Sequence, residues 1–152
     1  MNLKKALSAD TILLDMKSTT KDAVIEELVG LLMAAGKIKD LKCQQEAVKA
    51  VMDRERKMST GMQNGIAIPH GKTNVVEGLV AAIGVKKDGI DFGSLDGKPS
   101  RIFVMTISPD NRTGPHIQFL AEISRHLNDP LIRERILNAQ SKQEVMDCLS
   151  EQ

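Results

Sequence analysis

Two short, nearly unbroken apolar runs constrain the fold of this chain more than anything else in it. Leu79 to Val85 and Ile102 to Ile107 are β-prone and almost free of polar residues, which is the pattern of strands covered on both faces. The second is long enough to be a central strand. Such strands need helices on either side, and the flanking sequence supplies them. Val24, Leu28, Leu31, Leu32 and Ala35 fall at i, i+4, i+7, i+8 and i+11, behind a Thr19/Asp22 capping pair and ahead of Gly36. A second helix is expected from about Lys42 to Arg56, with Ala47, Ala50 and Val51 as its buried stripe. Three more close the chain: Pro115 to Leu127, about Pro130 to Asn138, and a last one opened by the capping box Ser141-Lys-Gln-Glu144. Shorter strands are expected at Ile12 to Leu14, Ile66 to Ile68 and Ile90 to Phe92, the last set between turns at Asp88-Gly89 and Asp96-Gly97. Strands interleaved with helices predict an α/β fold, a three-layer α/β/α sandwich with a mixed central sheet. The 152 residues contain no internal repeat and no Pro/Gly/Ser-rich linker, so residues 1–152 are expected to form a single domain.

Composition narrows the function. There are three Phe, no Tyr and no Trp, so the core must be aliphatic and methionine-rich. A single-strand binder stacks bases on several rings and a sugar-binding module usually needs one, which argues against both. The net charge of +1 gives no broad field for nucleic acid or anionic lipid, and any bound anion must meet a local cluster. Cys43 and Cys148 lack the spacing of a zinc site and read as unpaired thiols of a reducing cytoplasm; no metal or cofactor is expected. Asp10 and Asp15 interrupt any signal-peptide core after Lys4-Lys5, and the apolar stretches fall well short of the ~20 residues that span a bilayer. The chain reads as soluble and cytoplasmic, without membrane insertion.

Three residues are placed where they could do chemistry. His70 follows Pro69 and precedes Gly71, so a sharp turn is expected to present its imidazole at the lip of the sheet, where α/β folds place ligands. A Pro-His-Gly turn also suits a structural histidine, and the local residues leave both readings open. His116, after Gly114-Pro115, shares a helix face with Phe119, Leu120, Ile123 and Leu127 and is the sheet-side residue nearest the positive helix end. That end disfavours imidazolium and favours a bound anion, although a packed histidine fits equally well. His126, ten residues on, falls on the flank of that face and reads as solvated. Arg54 continues the Ala50/Val51 stripe, so its guanidinium is expected on the core-facing side, as a snorkelling or an anion-binding group, with Asp53, Glu55 and Arg56 pointing elsewhere. Brought together, Arg54, His70 and His116 would suit a phosphoryl group. A neutral imidazole is nucleophilic near pH 7, and the phosphoramidate it forms can hand the group on. The chain has no Walker loop, Gly-x-Ser-x-Gly elbow, His-Glu-x-x-His helix or Gly-x-Gly-x-x-Gly turn, so nucleotide-dependent, hydrolase and zinc-protease readings lose their usual support.

Arg54-Glu55, Ser59-Thr60-Gly61 and Gly65-Ile66-Ala67-Ile68-Pro69-His70-Gly71 together resemble the fructose/mannitol-type IIA domain of the bacterial phosphoenolpyruvate-dependent sugar phosphotransferase system. That family includes the nitrogen-regulatory IIA proteins, and the resemblance runs over essentially the whole chain. It implies a mixed sheet flanked by helices and a phosphocarrier role. His70 would be the phosphorylated nucleophile, taking the group from the histidine-phosphorylated carrier HPr and passing it to a IIB-domain cysteine, with His116 as second active-site histidine and Arg54 beside the phosphate. In a nitrogen-regulatory member, the phosphorylation state of His70 would instead control binding to regulatory proteins. Two positions depart from the family pattern: Gln63 replaces a glycine or alanine and is expected to alter either the loop over the site or its partner surface, and Ile117 replaces a leucine after His116.

Overall fold

In the computed structural model, residues 3–150 are described; the outermost residues of the expected 1–152 span lie outside them. Two short 3-10 turns, Leu3–Lys5 and Ala9–Thr11, lead into strand β1 (Ile12–Leu13). Helices α1 (Lys21–Ala34) and α2 (Leu41–Lys57) follow, then β2 (Ile66–Ala67), β3 (His70–Lys72), β4 (Val80–Ile90) and β5 (Ser100–Ser108). Helices α3 (Thr113–Leu127), α4 (Pro130–Leu137) and α5 (Lys142–Ser150) complete the described chain. The α1 cap is one residue later than expected: the Thr20 side chain, not that of Thr19, accepts from the Ala23 N–H at 3.2 Å.

The sheet is mixed, in the order β1-β4-β5 with β2 and β3 both on the far side of β5. Only the β4–β5 pair is antiparallel. As the apolar run implied, β5 is central and covered on both faces. Ile102 and Val104 pack with α3, α4 and α5, whereas Phe103, Met105 and Ile107 pack with α1 and α2. This period-two split divides the core into two apolar layers and makes the three-layer sandwich. The aliphatic character holds, with all three Phe buried and Met16, Met52 and Met105 among the core residues.

Two expectations about turns are corrected. Asp88-Gly89 does not end a strand: both residues lie within β4, at an irregularity in its pairing with β5, and Gly89 has φ +82°. A left-handed glycine in a bulge and one in a turn look alike in sequence. Nor does the chain turn at His70. Ile66 pairs with Ile102, Ala67 with Phe103, His70 with Thr106 and Gly71 with Ile107, a constant offset along β5. Strands β2 and β3 are thus one edge line, interrupted at Pro69, whose missing N–H breaks the ladder without changing its course.

Candidate functional site at the edge of the sheet

The constant offset decides where the side chains of this line point. His70 lies two residues beyond Ile68, which packs in the α3 layer, so its imidazole is on the α3 side. Gly71 then faces α2, where a Cβ would stand 3.0 Å from the Val51 nitrogen and 3.1 Å from the Ala50 carbonyl carbon. A side chain at 71 would therefore be tight against the α2 backbone, which would have to give by a few tenths of an ångström.

The His70 ring is half-buried, and its Nδ1 lies 2.8 Å from the Ile68 carbonyl oxygen. A carbonyl only accepts, so the neutral ring carries its proton at Nδ1 and its lone pair at Nε2. Burial lowers the pKa of His70 below the usual histidine value, and the Arg54 charge lowers it further against the opposing Ile68 bond and Glu55 charge. The ring is neutral at pH 7. His116 stands edge-to-face to it, with ring centroids 5.5 Å apart and planes at 82°. It occupies the fourth position of α3, 3% exposed, and its buried Nε2 has no hydrogen-bond partner. Burial, then the neighbouring His70 and Lys72, push its pKa down from 6.5 to about 4.

Arg54 is on the wall of the same cleft rather than in the core. It is half-buried, its Nη1 donates to the Met58 carbonyl at 2.7 Å, and that bond anchors the guanidinium just past the end of α2. Lys72 reaches across to α3, donating to Thr113 Oγ1 at 2.8 Å. Together with Lys49, Lys57 and the exposed Ile117, these groups line an open cleft of about 660 Å³. The three residues singled out in the sequence thus meet, one from each layer: Arg54 from α2, His70 from the sheet edge and His116 from α3. A half-exposed neutral imidazole with a free lone pair, a guanidinium and an unpartnered buried ring nitrogen suit a tetrahedral oxyanion.

Other expectations about side chains are revised. Glu55 points away from the cleft, as expected, but into the protein. It is buried, because residues 59–62 fold back over the end of α2 and Thr60 donates to its carboxylate. His126 is also buried, not solvated, and burial followed by the Arg125 charge lowers its pKa. The α3–α4 connection covers that flank: Asp129 N–H donates to the His126 carbonyl and Arg133 to that of Leu127. Gln63 does not overhang the histidine cleft. It is exposed and lines a separate groove with Met62, Ile66, Leu95 and Leu127. Gly61 of the Ser-Thr-Gly motif has a packing role, since a Cβ there would lie 2.9 Å from the Ser94 Cα.

The sequence and the fold match proteins of known family. The chain belongs to the EIIA 2 family of the phosphoenolpyruvate-dependent sugar phosphotransferase system, whose family model matches residues 5–152. A fructose-specific EIIA component of Haloferax volcanii is 37% identical over 93% of this chain and 90% of its own length. The fructose-specific EIIABC component of Bacillus subtilis is 36% identical over 99% of the chain, which spans only 23% of that longer protein. Among solved structures, the nitrogen regulatory protein IIA-Ntr of Neisseria meningitidis superposes with a TM-score of 0.88 at 28% identity, covering 97% of this chain and 98% of that one. Escherichia coli enzyme IIA mannitol, in complex with phosphorylated enzyme IIB mannitol, superposes with a TM-score of 0.79 at 26% identity over 94% and 96%. Among the described residues, no helix is long and apolar enough to cross a membrane.

Proposed function

We propose that residues 1–152 act as one cytoplasmic phosphocarrier domain of the sugar phosphotransferase system, with His70 as the residue that carries the phosphoryl group. The observation that supports this best is the bond from His70 Nδ1 to the Ile68 carbonyl, which leaves the Nε2 lone pair on a neutral ring beside Arg54 and His116. Nε2 attacks the phosphorus of the histidine-phosphorylated donor HPr. The new N–P bond forms as the donor's N–P bond breaks, and the donor ring leaves with that electron pair. The charge that His70 acquires spreads to Nδ1–H and strengthens its bond to Ile68. Arg54 faces the charge on the equatorial oxygens, and the His116 ring, whose buried Nε2 has no hydrogen-bond partner among the described residues, is the candidate second donor. Transfer onward to a IIB-domain cysteine reverses these steps on the other side of the phosphorus, a reading supported by the mannitol relative solved with its phosphorylated IIB.

The test is incubation with phosphoenolpyruvate, enzyme I and HPr. Acid-labile phosphate is expected on the wild type and none on His70→Ala; labelling that survives the substitution would overturn the assignment. A second reading has its own support in the coverage of almost the entire IIA-Ntr chain: a regulatory protein whose His70 phosphorylation governs binding to target proteins. Transfer from labelled protein to IIB proteins of the same organism separates the two, since the transport reading requires a IIB that accepts the group.

A further inference from the structure

Glu55 follows Arg54 on α2, yet its carboxylate faces away from the cleft, with its side chain 4% exposed. A buried carboxylate is costly unless every oxygen is used, and here both are. Oε2 accepts from the Thr60 N–H at 2.7 Å and from Lys21 Nζ at 2.8 Å, while Oε1 accepts from the Thr60 hydroxyl at 2.5 Å. Lys21 is held in turn by the Phe92 carbonyl at 3.2 Å. The other end of Thr60 leads to the site: its carbonyl accepts from the Ile68 N–H at 3.1 Å, and the Ile68 carbonyl accepts from His70 Nδ1 at 2.8 Å. The N–H and C=O of Ile68 belong to successive peptide groups on either side of its Cα, and neither of them bonds to β5. Beside them, the Pro69 carbonyl accepts from the Thr106 N–H on the β5 side, so the Ile68 N–H and C=O lie on the outer edge with Thr60 and His70 as their partners.

We infer that Glu55 is a positioning residue for His70: through Thr60 and Ile68 it holds the imidazole in the Nδ1–H form, with Nε2 free. Its value for phosphoryl transfer rests on the function proposed above; its hold on the tautomer does not. Geometry, rather than charge, is what Glu55 supplies. A glutamine has the same reach: its Oε1 accepts from Thr60 N–H and Lys21, and its NH₂ donates to the Thr60 hydroxyl, which turns to accept. An aspartate keeps the charge but is one methylene too short to hold both groups of Thr60.

The experiment compares wild type, Glu55→Gln and Glu55→Asp by nitrogen-15 NMR of the His70 ring, which reports the nitrogen that carries the proton, and by the rate of phosphoryl acceptance from phosphorylated HPr. Glu55→Gln is expected to keep the single Nδ1–H form and accept phosphate within a factor of about three of wild type, as for an exchange of satisfied hydrogen bonds. Glu55→Asp is expected to give averaged ring signals and a rate loss on the order of tenfold to a hundredfold, as for a misplaced nucleophile. Unchanged ring signals in Glu55→Asp, or equal rate losses in both variants, would overturn the inference. Should Glu55→Asp not fold, Thr60→Val removes one link and must shift the same ring signals; signals left as in wild type would overturn it equally. A wild type that takes no phosphate on His70 while its tautomer still follows Glu55 would overturn the functional reading alone.

Discussion

At the scale of single residues, His116 has the sharpest thermodynamic signature. Its depressed pKa means that the unfolded chain binds a proton that the folded chain refuses until about pH 4. Stability from this group is therefore fully present above 6.5 and is lost as pH falls from 6.5 towards 4, at about 1.4 kcal/mol per pH unit. The lowered pKa values of His70 and His126 act in the same direction. Urea unfolding between pH 4.5 and 7 is expected to show stability rising with pH, with a visibly shallower slope in His116→Gln. An equal slope in the two proteins would mean that the folded state tolerates imidazolium at this position. The depth of His116 was legible from its place on an amphipathic face. The burial of Glu55 and His126 was not, because periodicity identifies the inward face of a helix but not the loop or neighbouring helix that later covers its flank.

At the scale of elements, the decisive contact is that of β3 with α2. Gly71 lets the two backbones approach so closely that a Cβ between them would be tight, and that spacing brings Arg54 and His70 to one cleft. Gly71→Ala is expected to shift α2 outward by a few tenths of an ångström, at a cost of roughly 1–3 kcal/mol, and to slow phosphoryl acceptance more than a stability loss of that size explains. Denaturation midpoints and labelling rates, measured on the same samples, check this. All five helices could be read to within a residue or two, the first three from their 3.6-residue stripes and the last from its capping box. Strands were harder. The extension of β4 through Asp88-Gly89 and the straight passage at Pro69 depend on pairing with β5, a partner distant in sequence, while the local residues spell turns. The three site residues were legible as types at strand and helix ends, whereas their convergence follows from the order of strands, which no local pattern encodes.

At the scale of the whole molecule, the cleft exists only when all three layers are assembled, because each layer contributes one of Arg54, His70 and His116. Phosphoryl acceptance should therefore report on global folding. Ile123→Ala, in the fully buried seam between α3 and the sheet, is expected to cost about 2–5 kcal/mol. The urea midpoint for acceptance should move down together with that for unfolding; acceptance lost well before unfolding would place the cleft in a less stable subunit of the fold. The position of the site strand at the margin of the sheet has a further consequence. An open margin is a template on which another chain can add itself, the common start of strand-mediated self-association. Here the outward-facing Ile66 carbonyl accepts from Met62 N–H, the Ile68 groups are engaged by Thr60 and His70, and Gly61 bridges to Ala67. The loop that packs against the histidine strand also plugs the margin, so little backbone is left there for other copies of the chain to extend.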